Sequence, residues 1–402
     1  MKRLLLVTLA ILLILATGLI GCAKPAPAPA PTPTPAPAWE WPSNIIIGTS
    51  GIGSSNYAQT IAWANVLEQT TGSKVRVVPF EGDPTRLTWV KQGSLDATVT
   101  SAGDMPSVIQ GTQGTATKDG GPFQVRILWL ASISPGAYMV RADSDIKTIY
   151  DIKPGTKVAM CTVTPATVLV VQSLLAWLQL SEKDVQIVPF GSWDANVRSV
   201  SEGKADVCYT TANNPTVYEL AGSPHGIRML ELPAKTDPEG AARFIQVRPT
   251  SIFGPIVQGP KEVLGVNSMM SPFCYFVRAD FDPELAYHMA KWLDENFDAY
   301  KSKDTRCETM SISSFRSVLD LSFLPIHDST IKYLREKGMW QAADDTRNEK
   351  NIKLITTYEA AYKAAIVEAT NKKINIAPEN KDWIALWTSF SKDIPTIKVE
   401  LK

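Results

Sequence analysis

Short apolar runs alternate with helix-length stretches in the early part of the chain. The run 44–48 is rich in isoleucine and is followed by polar turn residues, which is typical of a strand buried on both faces. We expect Ala58, Ile61, Ala62 and Val66 to form the buried stripe of the next helix. The order β-α-β-α-β favours a mainly parallel sheet with right-handed crossovers. The predicted elements are strands 44–48, 75–80 and 95–100, with one helix that stops at Gly72 and another over 84–92.

The same pattern recurs 110 residues later. The tripeptide Val-Pro-Phe at 78–80 returns at 188–190, and the stretches 75–100 and 185–210 align without a gap and share eight identities. A solenoid repeat is shorter, at roughly 20–50 residues. The repeat therefore predicts two similar α/β lobes with a cleft between them. In the first copy the shared residues are Val75, Val78, Pro79, Phe80, Val90, Gly93, Asp96 and Thr100.

The second copy predicts a lobe built like the first. Val171, Leu174, Leu175 and Leu178 have the spacing of one buried helical stripe. Strands are expected at 156–161, 185–190 and 205–210, with a helix through Val200 before the last of them. Ligands of open parallel sheets bind beyond the carboxyl ends of the strands. We therefore expect the ligand site in the loops that follow these strands.

The first residues have the composition of an export signal. Two positive charges precede the apolar run 4–15, which is too short to span a bilayer comfortably. The tetrapeptide 19–22 resembles the bacterial lipobox, in which the cysteine, here Cys22, carries lipid such as palmitate. A plain signal peptide with a chance cysteine is the alternative. Segments 1–21 and 22–42 are accordingly predicted to be a lipoprotein signal peptide and an extended Pro/Ala-rich linker.

Composition and charge exclude several classes of partner. The 402 residues include 40 Lys and Arg against 40 Asp and Glu, for a formal net charge of zero. The chain therefore has no basic footprint for nucleic acid or for anionic lipid. An apolar content of 45% and a charged content of 20% are ordinary for a globular body, and the length exceeds that of a typical single domain.

Cys161, Cys208, Cys274 and Cys307 follow the predicted lipidation site. An extracytoplasmic location permits disulfides, but Cys161 and Cys208 fall in or beside predicted buried strands, where a free thiol packs as a small hydrophobe. Four buried thiols are therefore the favoured interpretation, with disulfides as the alternative. The spacing matches no zinc motif.

Catalytic chemistry finds little support. The sequence Gly-Ile-Gly-Ser-Ser-Asn at 51–56 departs from a dinucleotide fingerprint at its last position, and 48–52 misses a nucleophile elbow by one residue. His225, His288 and His327 fit no triad order and no zinc spacing. We expect no enzyme activity, no cofactor and no metal. His327 is expected to order the start of a helix, with Asp328 as its N-cap.

Loops after the predicted strands carry hydroxyls and amides that, together with helix N-termini, suit a small organic anion such as a carboxylate or an amino acid. Ser54 and Ser55 are equally suited to be plain N-caps. Arg86 and Arg198 are expected in surface pairs. Across the cleft, Ser54 should face Thr164, and Thr100 should face Thr210. The candidate ligand-binding residues are Ser50, Gly51, Ser54, Ser55, Asn56, Tyr57, Asp83, Thr100, Ser101, Asp104, Tyr138, Thr162, Thr164, Thr167, Trp193, Thr210, Thr211 and Asn213.

Four segments carry a family resemblance. Segment 46–57 is a strand and glycine-rich turn leading to a tyrosine, and 93–97 has a Gly-x-x-Asp strand start. Segment 151–158 is similar to a D-L-K-G-K-x-V pattern at the start of a second lobe. Segment 324–338 is the most distinctive and resembles P-x-H-P-G-A followed by Y-x-E-K-G. In these segments the chain resembles the TAXI family of solute-binding proteins of tripartite TRAP transporters.

That resemblance implies a type II periplasmic-binding-protein fold, each lobe a mainly parallel sheet flanked by helices. Lobe one would comprise 43–135 and lobe two 136–250. Segment 251–402 would return to lobe one with a C-terminal helical extension. In that extension Trp383 and Trp387 are spaced to cover apolar surface on one helix face.

The same resemblance implies an extracytoplasmic protein, lipid-anchored to the bacterial cell membrane, that passes a small solute to TRAP-type membrane subunits. A sensory lipoprotein that feeds a signalling partner would need the same cleft and is the alternative. An extracytoplasmic enzyme is a second alternative, and it would turn its ligand over instead of retaining it.

Overall fold

Strands and helices alternate over the first two-thirds of the folded body, and the remainder is mostly helical. The structure is a computed structural model that describes residues 39–80, 82–320 and 322–398. The predicted signal peptide and Cys22 lie outside the described residues. The strands are β1 (Asn44–Ser50), β2 (Lys74–Phe80), β3 (Ala97–Ser101), β4 (Val125–Arg141), β5 (Lys157–Cys161), β6 (Gln186–Phe190), β7 (Cys208–Thr211), β8 (Ile227–Leu230), β9 (Ile252–Pro255) and β10 (Asn267–Arg278).

The helices follow the predicted alternation. Among the described residues no helix is long and apolar enough to cross a membrane. The helices are α1 (Ser55–Thr71), α2 (Asp83–Gln92), α3 (Met105–Ile109), α4 (Pro165–Trp177), α5 (Trp193–Arg198), α6 (Pro215–Ala221), α7 (Pro238–Val247), α8 (Pro283–Glu295), α9 (Phe297–Tyr300), α10 (Ile312–Leu319), α11 (Asp328–Glu336), α12 (Ala342–Asn371) and α13 (Lys381–Ser391).

The two lobes repeat one strand plan. In lobe one, β1 pairs in parallel with β2 and β3, and β10 then runs antiparallel to β3. In lobe two, β5 pairs in parallel with β6, and a single parallel bridge joins Val158 to Val207 beside β7. Strand β4 runs antiparallel to β7. The predicted two-lobed α/β fold is confirmed.

The long strands β4 and β10 make the sheet mixed rather than mainly parallel. They pair antiparallel with each other over most of their length. Backbone hydrogen bonds between these two strands therefore form a connection that both lobes share. Strands β8 and β9 add further antiparallel pairs. A parallel sheet alone would need a crossover at each step, whereas these strands return directly from one lobe to the other.

The structure shows where the chain passes between lobes. The predicted boundary at 135/136 falls inside β4. After position 250 the chain stays with lobe two for longer than predicted, because Ile256, Val263 and Met269 are buried in the apolar clusters of that lobe. Passage back to lobe one takes place along β10.

Helix α1 buries a different face from the one predicted. Ala58, Ile61 and Ala62 are only partly buried, and of the predicted stripe only Val66 is buried. The buried face instead carries Gln59, whose Nε2 donates to the carbonyl of Ala131 at 2.6 Å and to a second buried carbonyl at 3.0 Å. Polar side chains can occupy a core when their hydrogen bonds are satisfied, so apolar spacing alone selected the wrong stripe. The buried residues of α1 are Asn56, Gln59, Thr60, Trp63, Ala64, Val66 and Leu67.

The stripe predicted for α4 is confirmed in its main part. Val171, Leu174 and Leu175 are buried in the core of lobe two, and Leu178 is partly buried against it. The predicted stop at Gly72 is also confirmed, since this residue ends α1 in the left-handed conformation with φ 76°.

Two expectations about charged and polar residues were wrong. Arg86 is fully buried instead of forming a surface pair, and its Nη1 donates to Ser50 Oγ at 3.1 Å. His327 itself, not Asp328, is the N-cap of α11, because its side chain accepts from the N–H of Ser329 at 3.2 Å. Arg198 does form the expected pairs, with Asp194 and a second carboxylate.

The cysteines of the folded body are free thiols. Cys161, Cys208, Cys274 and Cys307 are all buried, as predicted, and no disulfide joins them. Burial raises the pKa of the Cys307 thiol to about 12. Such thiols are protonated at neutral pH and are inert structural residues.

Candidate functional site

The lobes enclose a cavity of about 160 Å³ at the carboxyl ends of the strands. This volume is similar to that of cavities that hold a benzene-sized molecule. Residues at the N-termini of α1, α4 and α5 line its wall, so helix N-termini of both lobes adjoin the cavity. Helix N-termini favour negative charge.

Many of the candidate ligand-binding residues come together at this cavity. Ser54 of lobe one and Thr164 of lobe two, expected to face each other, both line it, and each also caps its own helix. Hydroxyl groups therefore dominate the polar part of the wall. The predicted residues that line the cavity are Ser50, Gly51, Ser54, Ser55, Asn56, Thr100, Ser101, Asp104, Thr164, Thr167, Trp193 and Thr211.

Other candidates lie elsewhere. Thr210 is fully buried on the far side of β7, so the expected pair with Thr100 does not form; neighbouring side chains of a strand point to opposite faces. Tyr138 is buried in the core of lobe two and donates to the carbonyl of Val170 at 2.5 Å. Tyr57, Thr162 and Asn213 are also absent from the wall, and the side chain of Asp83 lies outside the described part of the chain.

Asp104 connects the two lobes across the cavity. Its Oδ1 accepts from the backbone N–H of Ala166, in the first turn of α4, at 3.2 Å. Its Oδ2 accepts from Thr100 Oγ1 at 3.2 Å. The carboxylate thus occupies the helix N-terminus of the opposite lobe, where its charge is stabilised.

Asp194, the second carboxylate on the wall, is also compensated. It pairs with Arg198 at 2.9 Å and accepts from Thr216 Oγ1 at 2.8 Å. Each of these two acidic side chains therefore has partners supplied by the protein.

Arg248 is the contrasting case. It lies just after α7, lines the cavity and is only 3% exposed. Its Nη1 contacts Ser251 Oγ at 3.2 Å and Met269 Sδ at 2.8 Å, which are weak partners for a full charge. Its Nε is buried and has no acceptor among the described residues. Burial of a cation without a partner costs free energy, and a guanidinium forms strong hydrogen bonds with anions. This side chain is therefore available to an anionic partner.

The apolar part of the wall is aromatic. Trp193 packs edge-on against Tyr209 with ring centroids 6.1 Å apart, and Phe273 lies on the lobe-one side. Burial raises the pKa of Tyr209 to about 12, against an opposing effect of Arg248. Its hydroxyl is therefore a neutral donor at physiological pH.

Metal chemistry receives no positive support. Within residues 39–80, 82–320 and 322–398 there is no group of three or more histidine, cysteine, aspartate or glutamate side chains that could hold an ion.

Comparison with known families assigns the chain. Its sequence matches the NMT1-like family over residues 47–338, which is more than half of its length. The chain belongs to the NMT1-like family. The finer resemblance to the TAXI family stays a prediction. No curated protein sequence matches significantly.

Solved structures with some likeness to this NMT1-like protein include three binding proteins. The periplasmic aliphatic sulphonate binding protein SsuA from Escherichia coli is 16% identical with a TM-score of 0.41, and the match covers 90% of this chain and 95% of that one. An ancestral arginine-binding protein bound to arginine is 14% identical with a TM-score of 0.40, covering 67% and 98%. A binding component of an ABC transporter from Wolinella succinogenes, complexed with lysine, is 10% identical with a TM-score of 0.41, covering 67% and 95%. No ligand is carried over from them.

Sequence reasoning missed part of the cavity wall of this NMT1-like protein. Arg248 lies outside both copies of the repeat, at a predicted lobe boundary, and no motif surrounds it. In β7 the sequence pattern selected Thr210 as a cavity residue instead of its neighbour Tyr209. A shift of one residue selects the opposite face of a strand. The additional lining residues are Gly53, Val163, Ala166, Val170, Ser192, Asp194, Tyr209, Arg248, Ser271 and Phe273.

Proposed function

We propose that this protein is an extracytoplasmic solute-binding protein that captures a small organic anion, a carboxylate such as an amino acid, between its lobes. The observation that carries the proposal is the buried guanidinium of Arg248, whose Nε has no acceptor within the part of the chain that the structure describes. The two carboxylates on the same wall have partners of their own, so the uncompensated charge in the cavity is positive. An anionic group of the ligand compensates this positive charge.

The rest of the wall defines the remainder of the ligand. Hydroxyls and helix N–H groups from both lobes offer donors for further oxygen atoms. Trp193, Tyr209 and Phe273 offer apolar surface for a short carbon skeleton. Capture proceeds by closure of the lobes around the ligand, with β4 and β10 as the connections that bend.

We further propose that the protein is lipid-anchored through Cys22 and delivers its solute to a TRAP-type transporter. The apolar leader, the lipobox-like tetrapeptide and the Pro-rich linker support the anchor. The resemblance of segment 324–338 to the TAXI family supports the transporter type.

The binding proposal is tested by thermal shift and calorimetry with a panel of carboxylates and amino acids, each paired with its neutral amide. A ligand at 100 times its dissociation constant should add about 2.7 kcal/mol to the free energy of unfolding. We expect acids to bind at one per chain and their amides to bind far more weakly. Equal binding of an acid and its amide would contradict the proposal.

Variants of Arg248 locate the contact. Arg248→Met should weaken binding of the acid by at least about 30-fold, or about 2 kcal/mol, and Arg248→Lys should be intermediate. Arg243→Met is the matched control, since Arg243 lies one turn earlier in α7, donates to the carbonyl of Trp177 and does not line the cavity. Unchanged affinity in Arg248→Met would rule out this site.

Delivery is tested in the host by deletion of the gene. Loss of uptake of the labelled acid, restored by the wild-type gene but not by Cys22→Ala, is the expected result. Unimpaired uptake together with loss of a transcriptional response to the acid would favour the sensory alternative.

A further inference from the structure

Helices α12 and α13 lie beyond the stretch that matches the family, and they cover segment 105–117 within it. The match to the NMT1-like family ends at residue 338, and α12 and α13 follow it. They pack against each other and against segment 105–117, which continues directly from the cleft residue Asp104.

An aromatic clamp, formed by Tyr358, Tyr362, Trp383 and Trp387, holds this segment. All four side chains are buried. Both indole N–H groups and the Tyr362 hydroxyl donate to backbone carbonyls of the segment, and such hydrogen bonds hold a loop in place. The bonds are Trp383 Nε1 to Ala116 O at 2.9 Å, Trp387 Nε1 to Gln110 O at 2.9 Å, and Tyr362 OH to Thr117 O at 2.9 Å.

Gly111 in the segment and Gly121 just after it allow the backbone to pack closely against the clamp. A β-carbon at Gly111 would stand 2.6 Å from the ring of Tyr362, and one at Gly121 would stand 2.5 Å from it. Both glycines also have positive φ, of 58° and 68°. The loop and the aromatic ring therefore fit each other at the level of the backbone.

The residues just before the segment lie at the cleft. Gly103 lies against the guanidinium of Arg248, and Asp104 accepts the N–H of Ala166 in the opposite lobe. Within the segment, Thr115 Oγ1 donates to the carbonyl of Ser107 at 2.7 Å, which ties its outer half to its inner half. The clamp and the cleft are thus the two ends of one short hydrogen-bonded unit.

We propose that the C-terminal helix pair is a positioning element for the cleft: through the aromatic clamp it holds segment 105–117 so that Asp104 reaches Ala166 and Gly103 supports Arg248. Loosening the clamp lowers the fraction of molecules with a formed interlobe contact. Apparent affinity for any solute falls in proportion to that fraction. The inference concerns the position of the cleft residues and does not depend on which solute is bound.

The test uses the full-length protein without ligand and reads hydrogen exchange at the amide of Ala166. The variant Trp383→Phe/Trp387→Phe keeps an aromatic ring at each position but removes both N–H donors together with part of the buried ring volume. We expect exchange at Ala166 to accelerate by about fivefold or more, which is about 1 kcal/mol of local stability. Trp292→Phe is the matched control, because it removes the same donor from a bond to Thr70 in lobe one, away from the clamp.

The outcomes separate positioning from general stabilisation. Faster exchange at Ala166 in the clamp variant alone supports the proposal. Faster exchange only within 111–117, or equal acceleration in Trp292→Phe, overturns it. If the double variant does not fold, Tyr362→Phe, which loses a single hydroxyl, is measured in its place. The same outcomes then support or overturn the proposal. Failure of every carboxylate to bind would count against the proposed function and leave this measurement valid.

Discussion

The guanidinium of Arg248 lies so close to the backbone of Gly103 that a β-carbon at position 103 would stand 1.9 Å from Nη2. Glycine is therefore required for the arginine to occupy its place on the cavity wall. Gly103 belongs to the loop after β3 in lobe one, whereas Arg248 follows α7 in lobe two, so this contact is made between the two lobes.

Gly103→Ala should displace the guanidinium and reduce affinity for the anionic ligand by at least about tenfold, about 1.4 kcal/mol. Calorimetry with the acid selected by the panel measures the change. Gly191→Ala is the control, since a β-carbon there meets no atom within 4 Å and affinity should not change. Equal affinity in Gly103→Ala and wild type would show that Arg248 does not hold the ligand.

Asp104 should stabilise the closed arrangement of the lobes. Asp104→Ala removes the acceptor for Ala166 N–H, whereas Asp104→Asn keeps an acceptor and loses the charge. A hydrogen bond to a charged group is worth about 1.5–3 kcal/mol. We therefore expect the fraction of open molecules to be largest in Asp104→Ala, smaller in Asp104→Asn and smallest in the wild type. Small-angle scattering without ligand measures it as an increased radius of gyration.

A control for Asp104 is available on the same wall. Asp194→Asn breaks an ion pair contained within lobe two and should leave the scattering curve unchanged. A similar expansion in both variants would mean that loss of charge in the cavity, rather than loss of the interlobe bond, opens the protein.

Gln59 should contribute more to stability than the apolar residues first assigned to the buried stripe of α1. Gln59→Ala removes the side-chain donor to two buried carbonyls and should cost about 2 kcal/mol of unfolding free energy. Ile61→Ala, at a partly buried position, should cost less than about 1 kcal/mol. Denaturant titration of both variants checks the order, and the reverse order would support the apolar stripe.

His327 should make stability fall as pH falls. Burial lowers the pKa of its imidazole below the ordinary value, so the folded state binds the proton later than the unfolded state does. Its contribution is fully present above the unfolded pKa of about 6.5 and is lost as pH falls below it toward the folded pKa. His327→Asn keeps an acceptor for Ser329 N–H and should show a shallower loss of unfolding free energy on acidification.

Urea titrations from pH 7.5 to pH 5 compare His327→Asn with wild type. Asp328 and Arg126 act on the imidazole in opposite directions, and both remain in the variant. Parallel stability curves for the two proteins would show that His327 does not titrate in this range.

The sequence was sufficient for the class and the repeat of this fold. Alternation of β-branched runs with helix-length stretches depends on local backbone preference, and the 110-residue offset predicts corresponding strands in both lobes. The hydroxyl-rich turns at the carboxyl ends were found for the same reason, since strand ends and turns are encoded locally. Ser54 and Thr164 accordingly meet at one cavity.

Tertiary structure decided what depends on contacts between distant segments. The polar buried face of α1 is explained by carbonyls far along the chain, which no helical periodicity can show. Thr210 and Tyr209 are neighbours in sequence, but only the pairing of β7 with β4 determines which side chain enters the cavity. The case for Arg248 as an anion contact rests on its buried Nε, which has no acceptor in the described part of the chain, and this depends on how distant segments pack around it. Local propensity is written into each segment, whereas charge compensation and cavity walls exist only once the segments are assembled.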